Sequence, residues 1–150
     1  MLCPVIPPFD ELGRLPPGVH LATWDEIVER FGGSPWRLRL LTGLKAVLSS
    51  LRTAGCCKAY VDGSFVTAKE EPGDFDGCWD ETGVDPDKLD PVLLDFRNKR
   101  AAQKAKFGGE MFLSSSPASP TSTFVTFFQI DKVTGDPKGI ISIDLTRWQP

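Results

Sequence analysis

Histidine is almost missing from this chain: among 150 residues only His20 carries an imidazole. There are four cysteines, Cys3, Cys56, Cys57 and Cys78, and no C-x-x-C spacing. With one histidine beside them, the ligand pattern of a zinc site is lacking. No apolar run approaches the 18 or so residues that a bilayer requires, so no membrane span is expected. The opening MLCPVIPPFDELG lacks a basic n-region and an apolar h-region, so no secretory leader is expected. A surplus of positive charge is lacking too: Lys and Arg number 17 against 20 Asp and Glu, for a formal net charge of −3. That excludes a protein whose main business is broad electrostatic attraction to nucleic acid. Unpaired cysteines fit a reducing cytosol, so the expected compartment is cytoplasmic.

What is present is ordinary for one globular unit. Apolar residues make up 41% and charged residues 25%. A chain of this length buries about 70% of its unfolded surface without a disulfide or metal staple. We read residues 1–150 as a single domain with no internal repeat. Residues 1–22 carry Pro4, Pro7, Pro8, Pro16 and Pro17; they read as an extended arm packed on the body.

Thr23-Trp24-Asp25-Glu26 has the capping-box pattern and predicts a short helix through Arg30, stopped at Gly32-Gly33. Ser34-Pro35 predicts a second helix, with Leu40, Leu41, Leu44, Val47, Leu48 and Leu51 on one face and Gly55 as its stop. Arg37, Arg39, Lys45 and Arg52 fall off that face. Strands are expected at Cys56–Asp62, Asp74–Asp80 and Ile140–Leu145. Between them, Pro86 to about Ala105 reads as a helix broken near Pro91 and ended by Gly108-Gly109. Residues 114–123 read as a polar loop, 123–129 as helix, and Thr134–Gly139 as a turn. The fold class is α+β: a short mixed sheet with helices packed on one face and acids on the other.

The stretch YVDGSFVTAKEEPGDFDGCWD carries the chemistry. Side chains alternate across a strand, so Asp74, Asp76, Cys78 and Asp80 share a face, opposite Phe75, Gly77 and Trp79. Asp74 and Asp76 then lie roughly 6–7 Å apart at the backbone. Two carboxylates so placed repel unless a cation sits with them, and magnesium prefers oxygen ligands. In IISIDL, Asp144 faces away from Ile141, Ile143 and Leu145, and an acid in an apolar strand is costly if buried alone. If that strand lies beside the second, Asp144 joins Asp74 and Asp76, and three such carboxylates can hold two metals. Gly63-Ser64 fits the same picture: glycine admits positive φ and close approach, and such a turn can cradle a phosphate. The serine hydroxyl adds a donor.

These residues resemble the nucleotidyltransferase superfamily, the polymerase-beta-like fold: helix, strand, Gly63-Ser64, then Asp74-x-Asp76 and a later acid on a strand. The resemblance covers about residues 34–80 and 140–145, and the size is similar to that of minimal bacterial members of toxin–antitoxin pairs. It implies Mg²⁺-dependent transfer of a nucleoside monophosphate from an NTP to a hydroxyl. Gly63 and Ser64 would bind the triphosphate, Asp74 and Asp76 both metals, and Asp144 the attacking-side metal. Two departures stand out. The chain has six residues after Asp144, where many members carry a helical domain for the acceptor or base. Asp62 and Asp80 are additional acids with no role in the pattern.

Arg97, Lys99, Arg100, Lys104 and Lys106 form a basic run, read either as a solvated helix face or as a surface toward the triphosphate, an RNA acceptor or an acidic partner. Lys104 is the side chain chosen to reach the phosphates. His20 reads as structural, with no Ser-His-Asp set around it, and Cys78 as a small filler beside the acids. The favoured function is an enzyme modifying a protein or RNA hydroxyl, as one component of a bacterial toxin–antitoxin pair and more readily its antitoxin. The alternative is a silent nucleotidyltransferase-like module that neutralises or regulates a partner by contact.

Overall fold

The computed structural model describes residues 6–150; Cys3 and Pro4 of the proline-rich arm lie outside them. The architecture is α+β. Strand β1 (Gly18–Leu21) is followed by helices α1 (Trp24–Phe31) and α2 (Pro35–Thr53), then strands β2 (Lys58–Asp62) and β3 (Phe75–Trp79). Helix α3 (Arg97–Phe107) leads into β4 (Gly109–Leu113). A small hairpin, β5 (Pro117–Ser119) and β6 (Ser122–Thr123), precedes α4 (Phe124–Phe127), and β7 (Gly139–Asp144) closes the order. The main sheet runs β1-β7-β2-β3-β4. β2 is antiparallel to both its neighbours, while β1–β7 and β3–β4 are parallel pairs.

Both early helices begin where local chemistry says they should. Thr23 accepts from the Glu26 N–H at 3.2 Å and Glu26 accepts from the Thr23 N–H at 2.9 Å. These reciprocal bonds satisfy two donors that a helix start leaves open. Ser34 caps α2 by accepting from the Arg37 N–H at 3.1 Å, with Pro35 in the first turn. The leucine stripe of α2 is buried against Val61, Phe75, Trp79, Met111, Ile141 and Ile143 of the sheet. At Gly43, where α2 passes α3, a Cβ would lie 1.6 Å from the Phe107 carbonyl oxygen. Glycine is what lets the two helices approach.

Four expectations change. Arg37 is buried, at 7% exposure, rather than on a solvated face. It donates to the carbonyls of Phe31, Phe65, Thr67 and Lys69 at 2.5–3.2 Å. Those last three belong to the segment after Gly63-Ser64, and Trp36 adds a bond to the Pro72 carbonyl at 2.5 Å. The N-terminal turn of α2 thus holds the whole 65–72 segment.

The helix expected from Pro86 is instead two 3-10 turns, Pro86–Lys88 and Pro91–Leu94, before α3. Asp85 and Asp90 each accept from an N–H two residues on, which stops each turn from propagating from its neighbour. The arm contributes β1, which pairs with β7. Lastly, Gly108-Gly109 ends the helix as expected, but an additional strand follows at once. Gly108, at φ 81°, caps α3, and β4 starts at the next residue. Gln103 pins α3 to this edge strand, accepting from the Met111 N–H at 2.8 Å.

Candidate functional site

The register of three adjacent strands builds an acid row. Asp62 of β2 pairs with Asp76 of β3, and Asp76 pairs with Glu110 of β4. Directly paired residues project to the same face of a sheet. That face is opposite the one holding Phe75, Trp79 and Met111. Asp74 is half-buried just ahead of β3 and joins the row electrostatically.

Asp144 does not belong to it. β7 pairs with β2 so that Asp144 lies opposite Lys58, four residues from Asp62. That is roughly 13 Å along the strand. Asp144 has the expected face but the wrong end. Its Oδ1 accepts from the Thr146 N–H and hydroxyl, at 3.0 and 2.6 Å. The hydroxyl bond, outweighing slight burial, holds its pKa below the ordinary value. Asp80 also sits at that far end, accepting from the Thr82 N–H at 2.9 Å.

Glu110 takes the third place. It lies between the Gly108-Gly109 helix stop and the 114–123 loop, in a stretch to which no element is assigned from the sequence, although Gly109–Leu113 has the same acid-among-apolar alternation as Gly139–Asp144. Arg100 Nε donates to Glu110 Oε2 at 2.8 Å, and Lys104 Nζ stands 3.5 Å from the same oxygen. Burial pushes the Glu110 carboxyl up, but the Arg100 bond and the two cations outweigh it and hold the pKa below the usual value. Lys104 therefore reaches the acid row through Glu110 rather than through the Gly63-Ser64 turn. Much of the remaining basic run is paired as well, Arg97 with Asp95 and Lys106 with Asp90.

At the other flank, Asp62 is 3% exposed. Burial raises its pKa, opposed by Lys138, whose Nζ lies 2.5 Å from Oδ1. Asp76, between the two, has acids as its charged neighbours. Burial first, then the charges of Asp74, Glu110 and Asp62, push its pKa up to about 7. Asp74 is raised for the same reasons, burial before the Glu110 charge.

Gly63 has φ 86°, and a Cβ there would lie 2.7 Å from Asp76 Oδ2. Only glycine lets the turn close onto that carboxylate. Ser64 then opens a short 3-10 turn to Val66, with Phe65 and Val66 buried. Gly63 and Ser64 line a cleft of about 390 Å³ with Asp62, Asp76, Lys132 and Lys138. Both lysines come from the turn before β7, and the charge of Lys132 acts on Asp62 and Asp74. Sequence reasoning missed both. Their signal was the pairing of two lysines with a Thr-Gly-Asp-Pro turn.

Beyond the acid row, the same face is covered. Cys78, Phe128 and Ile140 form a second buried cluster with Tyr60, Phe112, Phe124 and Phe127. Cys78 is a filler there, and burial pushes its thiol up to about 12. Cys56, Cys57 and Cys78 are free thiols. His20 Nε2 contacts the Pro16 carbonyl at 2.7 Å, a local bond in the arm, and has no place in the acid row.

Residues 7–144 match the profile of a family of unknown function, DUF6932, and the chain belongs to that family. No curated protein and no solved structure matches it. Among the described residues, no helix is long and apolar enough to cross a membrane.

Among the described residues, no three His, Cys, Asp or Glu side chains already stand together closely enough to hold a metal ion. The chemistry of the donors nevertheless fits a hard divalent cation. They are carboxylate oxygens on one row, and the middle one is surrounded by negative charge.

Proposed function

We propose that the acid row and the adjoining cleft form a nucleotidyltransferase site, moving a nucleoside monophosphate from an NTP to a hydroxyl. The observation that carries the reading is Asp76, crowded by Asp62, Asp74 and Glu110 and packed against Gly63. Such an arrangement is costly for a protein that has no cation to place there.

Asp74, Asp76 and Glu110 would hold Mg²⁺, with Glu110 replacing Asp144 in that role. When bound, the metal would supply positive charge to the phosphates and to the attacking oxygen. Gly63, Ser64, Lys132 and Lys138 line the cleft where a triphosphate would be oriented and its charge offset. Arg100 and Lys104 keep Glu110 ionised. In the reaction, the acceptor oxygen bonds to the α-phosphorus, the bond from the α-phosphorus to its bridging oxygen breaks, and pyrophosphate leaves. The acceptor proton passes to a carboxylate of the row.

The acceptor is a hydroxyl of a protein or an RNA. A role in a bacterial toxin–antitoxin pair, with the antitoxin favoured, rests on the resemblance in size and signature.

The test is calorimetric titration with each of the four NTPs, with and without Mg²⁺, against an Asp74→Asn/Asp76→Asn control. Magnesium-dependent binding that the control loses supports the site, and transfer of labelled nucleotide then identifies the acceptor. A folded protein that binds none of the four removes the stand-alone enzyme.

A second reading has its own observation. Lys138 neutralises Asp62, and Arg100 with Lys104 neutralises Glu110, so two members of the row are already satisfied. A silent module that works by contact would look like this. It predicts that Asp76→Asn leaves partner binding and biological effect unchanged.

A further inference from the structure

Two positions beyond Glu110 on β4, and on the same face, stands Phe112. Its ring stacks on Phe124 at 4.1 Å between centroids and 8° between planes. The Phe96 ring lies nearly parallel to it as well, at 14°, but with centroids 6.3 Å apart. Phe96 is 38% exposed. These rings border a cleft of about 240 Å³, lined by Phe96, Arg100, Phe112, Leu113, Ser116 and Phe124. Arg100 belongs to both places: its guanidinium lies 5.2 Å from the Phe112 centroid while its Nε donates to Glu110.

A flat aromatic ligand stacked between two rings needs roughly 7 Å, twice a carbon contact distance of about 3.5 Å. With the Phe96 and Phe112 centroids 6.3 Å apart, a base would enter this stack by displacing Phe96, which stands at the surface. The wall chemistry is π-faces plus one guanidinium. That combination takes any heterocyclic base by stacking and offers donors to its edge. An aliphatic ligand would gain little from it. The distance also suits a nucleotide, since Phe112 is roughly 7 Å along the strand from Glu110.

Resting on the nucleotidyltransferase reading of the acid row, we infer that the Phe96–Phe112–Arg100 cleft receives the heterocyclic base of the nucleotide. The triphosphate would lie on the opposite flank, toward Gly63 and Lys132. Phe96 and Phe112 supply affinity common to all bases, and Arg100 supplies the donor that can discriminate among base edges.

The experiment compares magnesium-loaded NTP with magnesium-loaded tripolyphosphate by calorimetry, on wild type, Phe96→Ala and Phe96→Trp. Wild type should bind the nucleotide at least tenfold more tightly than tripolyphosphate. Phe96→Ala should lose that advantage with tripolyphosphate binding unchanged, and Phe96→Trp should retain it. Equal affinity of wild type for the two ligands would overturn the base cleft and leave the acid row as a phosphate site. A nucleotide advantage that survives Phe96→Ala would also overturn it. If the folded protein binds neither ligand, the nucleotide reading fails and the base cleft falls with it.

Discussion

At one end of the acid-bearing sheet face, Asp76 lies between Asp62 and Glu110, and its pKa is driven up to about 7. At the other end of that face, Asp144 lies opposite Lys58, bonded to Thr146, and its pKa is driven down. Both are aspartates on strands with apolar neighbours in sequence. What separates them is company: Asp144 has hydrogen-bond donors, while Asp76 is partly buried among like charges. An acid on a strand is therefore weak evidence of a site until its neighbours across the sheet are known. Repulsion that the fold tolerates is the stronger sign.

The sharpest way to break the comparison is to neutralise each acid in turn. Asp76→Asn should lower nucleotide transfer by a factor on the order of a thousand, a scale typical of losing a central catalytic group. Asp144→Asn should change it less than about threefold. Equal losses in the two variants, measured as initial rates with labelled NTP, would erase the distinction between the ends.

Support of the acid end can be tested through Arg37. Arg37→Met leaves four carbonyls without their donor and should destabilise the fold by about 3 kcal/mol in urea unfolding. Arg147→Ala, at the Asp144 end and exposed, should stay within about 0.5 kcal/mol.

The two acids should also have opposite pH signatures. The folded pKa of Asp76 is raised, so its contribution to stability is fully present below the unfolded value near 3.8 and is lost as pH rises through about 7. In chelator-treated buffer, this should cost the native state about 2–3 kcal/mol between pH 5 and pH 8. Asp76→Asn should flatten that slope. The folded pKa of Asp144 is lowered, so its contribution is present above 3.8 and lost as pH falls below it. Denaturation at a series of pH values, on both variants, separates the two.

The smallest effect concerns the approach to the acid end. Asn98, Lys99 and Arg100 have φ of 52°, 56° and 60°, a left-handed turn at the start of α3 that places Arg100 on Glu110. Each such residue costs about 1–2 kcal/mol relative to an ordinary conformation. Lys99→Gly should therefore stabilise the protein by about 1 kcal/mol. In a right-handed helix the same change would destabilise it by about that amount. A thermal shift of either sign decides between them.

Much of this architecture is legible from residue patterns. The capping box of α1, the Ser34-Pro35 start and leucine stripe of α2, and the cores of β2, β3 and β7 can all be read from local chemistry. So can the helix near 124 and the side of the sheet that Asp76 and Asp144 occupy. What a period of two cannot supply is position along the sheet. It tells which face Asp144 takes, and only pairing with β2 tells which end. The strands β1 and β4 were obscured for a different reason. Gly18–Leu21 is four residues long after two prolines, and Gly109–Leu113 starts inside a helix-stopping glycine pair, with no room for a separate turn before it. Losing β4 meant losing Glu110. Arg37 looked solvated because its partners are carbonyls about 30 residues away, which no helical wheel reveals.

The strand order has a consequence for how the molecule is made. β7 is inserted between β1 and β2, so β1 can join the sheet only through β7. A nascent chain that has reached α4 can assemble the β2-β3-β4 half, yet it carries β2 as an open hydrogen-bonding edge and β1 as an unattached segment. Exposed edges of that kind invite pairing with other chains. Until residues 139–144 emerge, the lane beside β2 stays open to pairing with any other strand.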